Sequence, residues 1–405
     1  MERDMAVEQT GRRTFMKIVG GGVILAAAGA AGVGGYAATR SIAPATAPWR
    51  AAGAADLVRE DIRRWALSYA ILAPNPHNMQ PWVVDLSEPG VVVLYADPER
   101  RLPHTDPFDR QITIGLGCFL GILDMAAAER GYRAEIAPFP AGGRVEALGT
   151  SPVARIRFVE DASISPDPLF AQVLVRRSNK EPYDTSRTVP DDVAARVVAA
   201  STERAPDGIS LDTLGVEARL DDDFNQVMRN LTWQGYEIEG LSSHLFGESV
   251  DVMRIGAAEV NANPDGIEIH GSMIEMLRMT GLISRDAMRD PDSTAFKQGG
   301  EMLRAACDTA MGQLWIVSPG NSRIEQLATG VAHVRANLAA TAEGLGFHPN
   351  SQTMQEDPVF ADLQLALYAA LGVPDSETVQ MLSRIGYGPQ IGPTPRWALD
   401  TRLRA

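Results

Sequence analysis

Apolar positions along this chain fall at two spacings, and the spacing changes from segment to segment. From Asp56 to Leu72, the residues Leu57, Ile62, Trp65, Tyr69 and Leu72 recur at roughly helical intervals and predict an amphipathic helix. Pro74 and Pro76 end it, because proline lacks the N–H that a helix interior needs. Trp82–Leu86 and Val91–Tyr95 are short and rich in β-branched and aromatic residues, and the Glu88-Pro89-Gly90 turn between them predicts a hairpin. Ile112, Leu116, Phe119, Leu123 and Ala127 mark a helix over Asp109–Gly131 with Asp109 as its cap, and Arg155–Val159 reads as a strand.

After Asp167 the same order starts again. A helix over Leu169–Arg177 leads into Arg-Arg-Ser-Asn-Lys, a second helix starts at Asp191, and a short strand falls near Ser210–Leu214. A long helical stretch, about 221–313, precedes the apolar strand Gln313–Ser318; its Met253, Met273, Met276 and Met279 read as packing residues. Leu327, Val331, Val334, Leu338 and Leu345 then lie on one helix face that stops at Gly344-Leu345-Gly346. Helices and strands in this order divide the chain into two halves, 54–160 and 166–405, the second carrying the helical insert. A duplication is suggested, although identity between the halves is too weak to prove it.

The chain has 405 residues, 45% of them apolar and 22% charged, which is a globular composition with room for one large domain or two ordinary ones. A formal charge of −14 and the lack of a basic stripe disfavour a nucleic-acid partner. Residues 1–47 read as an address. Arg12-Arg13-Thr14-Phe15-Met16-Lys17 precedes the uncharged run Ile18–Thr39, and the pattern resembles a twin-arginine export signal. The other reading of that run is a transmembrane anchor, since it is long enough to span a bilayer. Ala45-Thr46-Ala47 offers small residues for cleavage, with Pro48 directly behind. Export places the body in the periplasm or another extracytoplasmic space. Cys118 and Cys307 lie apart without metal-ligand spacing and read as buried thiols, a disulfide staying open; His104, Asp106 and Asp109 read as a helix-capping loop rather than a metal cluster.

Two stretches carry candidate chemistry. Ala73-Pro74-Asn75-Pro76-His77-Asn78-Met79-Gln80-Pro81-Trp82 makes a proline-stiffened turn rich in amides that both donate and accept, which suits a flat, heteroatom-rich ligand. Arg176-Arg177-Ser178-Asn179-Lys180 sets three cations and a hydroxyl within five residues. It suits a phosphate, although by spacing alone such a run more often marks a solvated helix end. His348, just beyond the Gly-Leu-Gly-Phe stop, and His333 are further candidates to face a bound ring.

Together these stretches resemble the nitroreductase family of FMN flavoproteins. The first is similar to that family's A-P-S-x-x-N-x-Q-P-W motif and the second to its R-R-S-x-R phosphate-binding opening. Leu382–Tyr387 with Pro395-Arg396 is similar to its C-terminal strand and final cationic arm. The order of motifs resembles the single-chain Acg-type subgroup, in which two nitroreductase-like halves form a pseudo-dimer. The resemblance implies an α+β fold, mostly antiparallel sheets wrapped by helices, with FMN held between the halves. Arg176, Arg177, Ser178, Lys180 and Arg396 would address its phosphate and ribityl chain, and Pro74, Asn75, Asn78 and Gln80 its ribityl and ring. Asn75 departs from the usual Ser and Lys180 from the commoner Arg.

The implied activity is FMN-dependent oxidoreduction, with NAD(P)H as a donor and a nitroaromatic, quinone or similar flat acceptor. The alternative is a flavin-binding protein of little turnover, its ring covered by the insert. Replacing Arg12 and Arg13 together by Lys keeps the charge and changes the hydrogen-bonding shape. Fractionation should find that variant retained in the cytoplasm; unchanged export would rule out a twin-arginine signal.

Overall fold

A computed structural model describes residues 40–143 and 147–404. The arginine pair and the apolar run Ile18–Thr39 lie outside the described residues. The folded body reaches back into the span read as leader: Ala45 and Thr46 are buried, and helix α1 (Ala47–Ala51) carries Trp49 inward.

The helix expected over Asp56–Leu72 is two, α2 (Ala55–Glu60) and α3 (Ile62–Ala70). Asp61 breaks it by taking an extended backbone, φ −164°, and its carboxylate then accepts the Arg63 N–H at 2.9 Å as the cap of α3. β1 (Trp82–Asp85) and β2 (Val91–Ala96) form the expected hairpin. They are followed by α4 (Arg110–Ala128), β3 (Tyr132–Pro138) and β4 (Ala154–Glu160), and the antiparallel sheet has the order β1-β2-β4-β3.

Asp109 occupies the first position of α4 but does not cap it. Its backbone is left-handed, φ 56°, which turns its carboxylate to Arg101 Nε at 2.7 Å and the Leu148 N–H at 2.6 Å. Asp106 caps instead, accepting the N–H groups of Gln111 and Ile112 at 3.0 and 2.8 Å. Among the described residues no acid, histidine and cysteine group gathers as a metal site, and both cysteines are free and buried.

The expected helix over Leu169–Arg177 shrinks to a 3-10 turn, Pro168–Gln172, because Arg176 turns into the protein rather than out along a helix face. Next come α5 (Asp191–Thr202) and β5 (Gly215–Arg219), the strand lying just after the predicted Ser210–Leu214. The insert is not purely helical. It runs through α6 (Asp222–Leu241), α7 (Ser243–Asp251), β6 (Met253–Ile255), α8 (Ala257–Ala262), β7 (Ile267–Ile269), α9 (Ser272–Met279), α10 (Arg285–Arg289) and α11 (Thr294–Asp308), with β6 and β7 paired in parallel. β8 (Gly312–Ser318), α12 (Arg323–Ala342), β9 (Gly346–Pro349), α13 (Ala361–Leu371) and β10 (Thr378–Gly386) complete the second half. α12 stops at Ala342, so Leu345 is buried beyond the helix rather than on it.

The second sheet, β5-β8-β10-β9, is antiparallel and repeats the connectivity of the first: in each, the third and fourth strands in chain order exchange places. In each, a long helix enters between the second and third strands. Arg110, Gly117, Asp124 and Gly131 of the first half recur at the same spacings as Arg323, Gly330, Asn337 and Gly344 of the second.

Those two helices, α4 and α12, cross in contact. A Cβ on Gly117 would stand 2.2 Å from the Leu327 carbonyl oxygen, and one on Gly330 would stand 2.0 Å from that of Ile114. Each helix also sends its leading arginine into the other half. Arg110 donates to the Val379 and Met354 carbonyls, and Arg323 to the Asp109 carbonyl and the Thr113 hydroxyl. Gly330→Ala should therefore force the helices apart and lower stability by about 1–3 kcal/mol. Urea unfolding at neutral pH measures it, and an unchanged midpoint would contradict the contact.

Candidate cofactor-binding site

The amide-rich turn lies where α3 ends. Pro74 is buried, Pro76–Asn78 makes one 3-10 turn, and His77, Asn78 and Gln80 all take left-handed backbones with φ of 46°, 54° and 52°. Such conformations are unfavourable for residues other than glycine and persist only where neighbours enforce them. Here the enforcing bonds are visible. Asn75 Oδ1 accepts the Gln80 N–H at 2.7 Å, and its Nδ2 donates to the Ala73 carbonyl at 3.1 Å. Gln80, wholly buried, donates to the Pro264 carbonyl of the insert at 2.8 Å and accepts the Trp397 N–H at 2.9 Å. Asn78 donates to the Pro395 carbonyl at 3.1 Å and accepts from Arg396. The turn's amides therefore fasten the insert and the C-terminal arm to the first half.

The cations predicted from sequence converge on this turn. Arg176 and Arg396 are 2% and 3% exposed, and both donate Nη2 to one acceptor, the Leu72 carbonyl, at 3.1 Å. Arg396 also donates to Ala73 and Pro395 carbonyls. Arg177 stands beside them. Among the described residues none of these three guanidinium groups meets a carboxylate within ion-pair distance, and Arg176 Nε and Nη1, Arg177 Nε and Arg396 Nε have no partner. Burial and then the neighbouring guanidinium push Arg176 down to about 10, and burial followed by Arg176 pushes Arg396 down to about 9. Arginine keeps its proton in proteins, so this crowding amounts to a demand for an anion.

Ser178 is half-buried in the same loop, and Lys180 is exposed beyond it. Lys180 lies near enough to His77 and His348 to lower both, although burial is the larger cause in each; His77 falls to about 4. Arg384, fully buried, was quoted from the sequence only as part of a strand. It donates Nε to His348 Nδ1 at 3.0 Å and Nη2 to the carbonyls of Asn179 and Glu181, the residues on either side of Lys180. It thus shapes the loop that presents Lys180. Asp265 of the insert was missed entirely, since nothing separates it in sequence from other surface acids. It accepts from Arg100 at 2.6 Å, Arg254 at 2.7 Å and Trp397 Nε1 at 2.8 Å.

A mirror site, with Asp61–Trp65 in place of the cationic run and Ala205–Ile209 in place of the turn, is not built among the described residues. Arg63 is held by Asp61 and by the Leu86, Glu88 and Val91 carbonyls, and Arg64 pairs with Asp400. Gly208 presses on the Ile136 carbonyl, where a Cβ would stand 1.8 Å away. A surface hollow of about 470 Å³ beside Glu129, Asp167 and Phe170 lacks converging cations, so the chemistry points to the arginine cluster.

No family profile matches the chain. A Mycobacterium tuberculosis protein with the provisional name NAD(P)H nitroreductase is 24% identical over 346 residues, covering 83% of this chain and 89% of that one. Acg of the same organism, with the same provisional name, is 34% identical over 84 residues, 21% of this chain and 25% of its own. Among solved structures, a provisionally named nitroreductase from Anabaena variabilis is 12% identical, covering 78% of this chain and 82% of its own with a TM-score of 0.42. The FMN-dependent nitroreductase NfnB from Mycobacterium smegmatis, in complex with NADPH, is 17% identical, covering 57% and 94% with a TM-score of 0.37.

The fold is α+β, and the 346-residue alignment with the first of these relatives extends across both halves of this chain.

His333 of α12 offers a pH test of the interior beside this site. It is buried with Nδ1 unpartnered, 5.3 Å from the Phe347 ring, and burial, then Arg176, pushes it down to about 3. Its folded pKa lies below its unfolded value of 6.5. It therefore contributes stability above 6.5 that is lost as pH falls below that value, with a slope of about 1.4 kcal/mol per pH unit. Asp106 and Asp124, raised by burial to about 6, act in the opposite direction. Comparing wild type with His333→Leu removes their common contribution: between pH 6.5 and 5 wild type should lose about 2 kcal/mol more than the variant. Parallel pH profiles would show that the imidazole is not held neutral.

Proposed function

We propose that this chain is an FMN-dependent oxidoreductase of nitroreductase type, taking electrons from a small donor such as NAD(P)H and passing them to a nitroaromatic, quinone or similar flat acceptor. The observation that carries the reading is the meeting of Arg176, Arg177 and Arg396 with free N–H groups and, among the described residues, no carboxylate within ion-pair distance, Glu268 acting on Arg396 only from farther off. A phosphate fits this donor set, since arginine offers it paired, charge-assisted hydrogen bonds. The names of the relatives agree with the reading.

Bound FMN would supply hydride and electron transfer. The protein's part is to bind and orient. Arg176, Arg177 and Arg396 hold the phosphate end, with Ser178 beside them. The Pro74–Gln80 turn, from the other half, fixes Arg396 through Asn78, and Asn75 and Gln80 keep the turn in its strained shape. Lys180, in the loop that Arg384 shapes, would add positive charge toward the phosphate and ribityl chain. His77 and His348 are neutral at pH 7 and can accept as well as donate a hydrogen bond.

A second reading has an observation in its favour. The insert lies on the turn through Gln80 to Pro264 and through the Gly266 N–H to the Asn78 carbonyl at 3.2 Å, so it can cover a bound ring and restrict turnover. Anaerobic addition of NADH or NADPH separates the two: bleaching of the flavin band supports the oxidoreductase, and a persistent oxidised spectrum supports sequestration. The leader, read as a twin-arginine signal, would place the protein in the periplasm, with Ile18–Thr39 serving as an anchor if uncut.

One FMN per chain is expected, because among the described residues a single such arginine cluster is completed. Arg176→Ala and Arg396→Ala should each weaken FMN binding roughly ten- to a hundredfold, the loss of a charge-assisted hydrogen bond. Riboflavin, which has no phosphate, should bind equally well to wild type and variants. Fluorescence titration measures both, and equal losses for the two flavins would sink the phosphate assignment.

A further inference from the structure

Ser41–Ala51, directly ahead of the first half, is bound from three sides. Asn261 of α8 donates Nδ2 to the Ser41 carbonyl at 2.8 Å and accepts the Ala45 N–H at 3.2 Å. The Ala45 carbonyl accepts the backbone N–H of Arg396 at 2.8 Å. Trp49 donates Nε1 to the Thr394 carbonyl at 2.8 Å, and its ring lies over Arg177 at 4.7 Å and Arg396 at 5.4 Å. Ala45, Thr46 and Trp49 are buried. The segment is therefore clipped to the insert at one end, while its indole roofs two of the three cations that lack an ion pair among the described residues.

We propose that Ser41–Ala51 is a strap that closes the phosphate end of the cofactor site, its docking coupled to the anion held there. An indole face attracts a guanidinium, but roofing also strips water from cations that no carboxylate meets within ion-pair distance. An anion on the free N–H groups removes that penalty, so anion and strap favour one another, and by linkage each must strengthen the other's binding by the same factor. The docked strap also withholds Ala45-Thr46-Ala47 from a peptidase, since cleavage there would separate Ala45 and Thr46 from the rest of the strap. A chain exported with the strap docked would keep Ser41 onward.

The inference rests on the reading of the cluster as a flavin phosphate site, and the test separates the two. Hydrogen exchange of the full chain is followed in peptides covering 41–51, with FMN, riboflavin or inorganic phosphate added. FMN and phosphate should slow exchange of the strap severalfold, and riboflavin should not. Asn261→Ala, which touches no arginine, should weaken FMN binding roughly three- to tenfold while leaving riboflavin binding and the circular dichroism spectrum unchanged. If that variant misfolds, the wild-type exchange alone decides. Bound FMN with unchanged strap exchange overturns the coupling and spares the flavin reading. Protection by phosphate without any flavin binding supports the strap and overturns the flavin reading. Protection by neither ligand overturns the strap. Intact mass of protein from the cell envelope should place the N-terminus at or before Ser41; a chain starting at Thr46 or Pro48 would refute the strap.

Discussion

The contact of α4 with α12 is the constraint on which the remaining geometry depends. Two helix backbones can approach to carbonyl contact only where neither carries a side chain, and Gly117 and Gly330 supply that absence on the two sides of the crossing. With the crossing fixed, Arg110 and Arg323 reach across into opposite halves. The seam between the sheets is then held in one register. The turn after α3 and the loop before α5 come from different halves, so their meeting is a consequence of this register.

Charge then decides what the seam can do. Buried cations are ordinarily paired: Arg335 pairs with Asp167, and Arg100 and Arg254 with Asp265, while buried Arg384 is held by His348 and two carbonyls. Arg176 and Arg396 lack such a partner although each is almost wholly buried. The left-handed residues of the turn belong to the same arrangement, because Asn78 can hold Arg396 only from that backbone conformation. Strain and unpaired charge are thus concentrated at one place, where a bound anion would relieve the charge.

The insert and the C-terminal arm give this place its walls. Asp265 ties them to each other and to Arg100 of the first half, and Gln80 ties both to the turn. Access to a ring bound there is therefore governed by bonds far apart in sequence. A covering insert and a working oxidoreductase can be reconciled if those ties open, and the number of them measures how reluctantly they do.

The sequence by itself determined what depends on local pattern and on residue chemistry. Hydrophobic spacing located β1, β2, α4, β8 and α12, since a period of two or 3.6 is visible without neighbours. The proline-bounded turn and the Arg-Arg-Ser-Asn-Lys run were legible because their chemistry lies within a few residues. Tertiary structure decided the rest. Whether Asp106 or Asp109 caps α4 turned on Arg101 and the Leu148 N–H drawing Asp109 away. The fate of residues 169–177 turned on the burial of Arg176, which no helical propensity foretells. β9 is four residues long and β10 and α13 are nearly uniform in burial or hydropathy, so periodicity gave them no clear signal. Trp49, Asn261, Asp265 and Arg384 act through partners that are mostly far away in sequence. Long-range contacts of that kind are set by packing, whose cooperativity a linear pattern does not display.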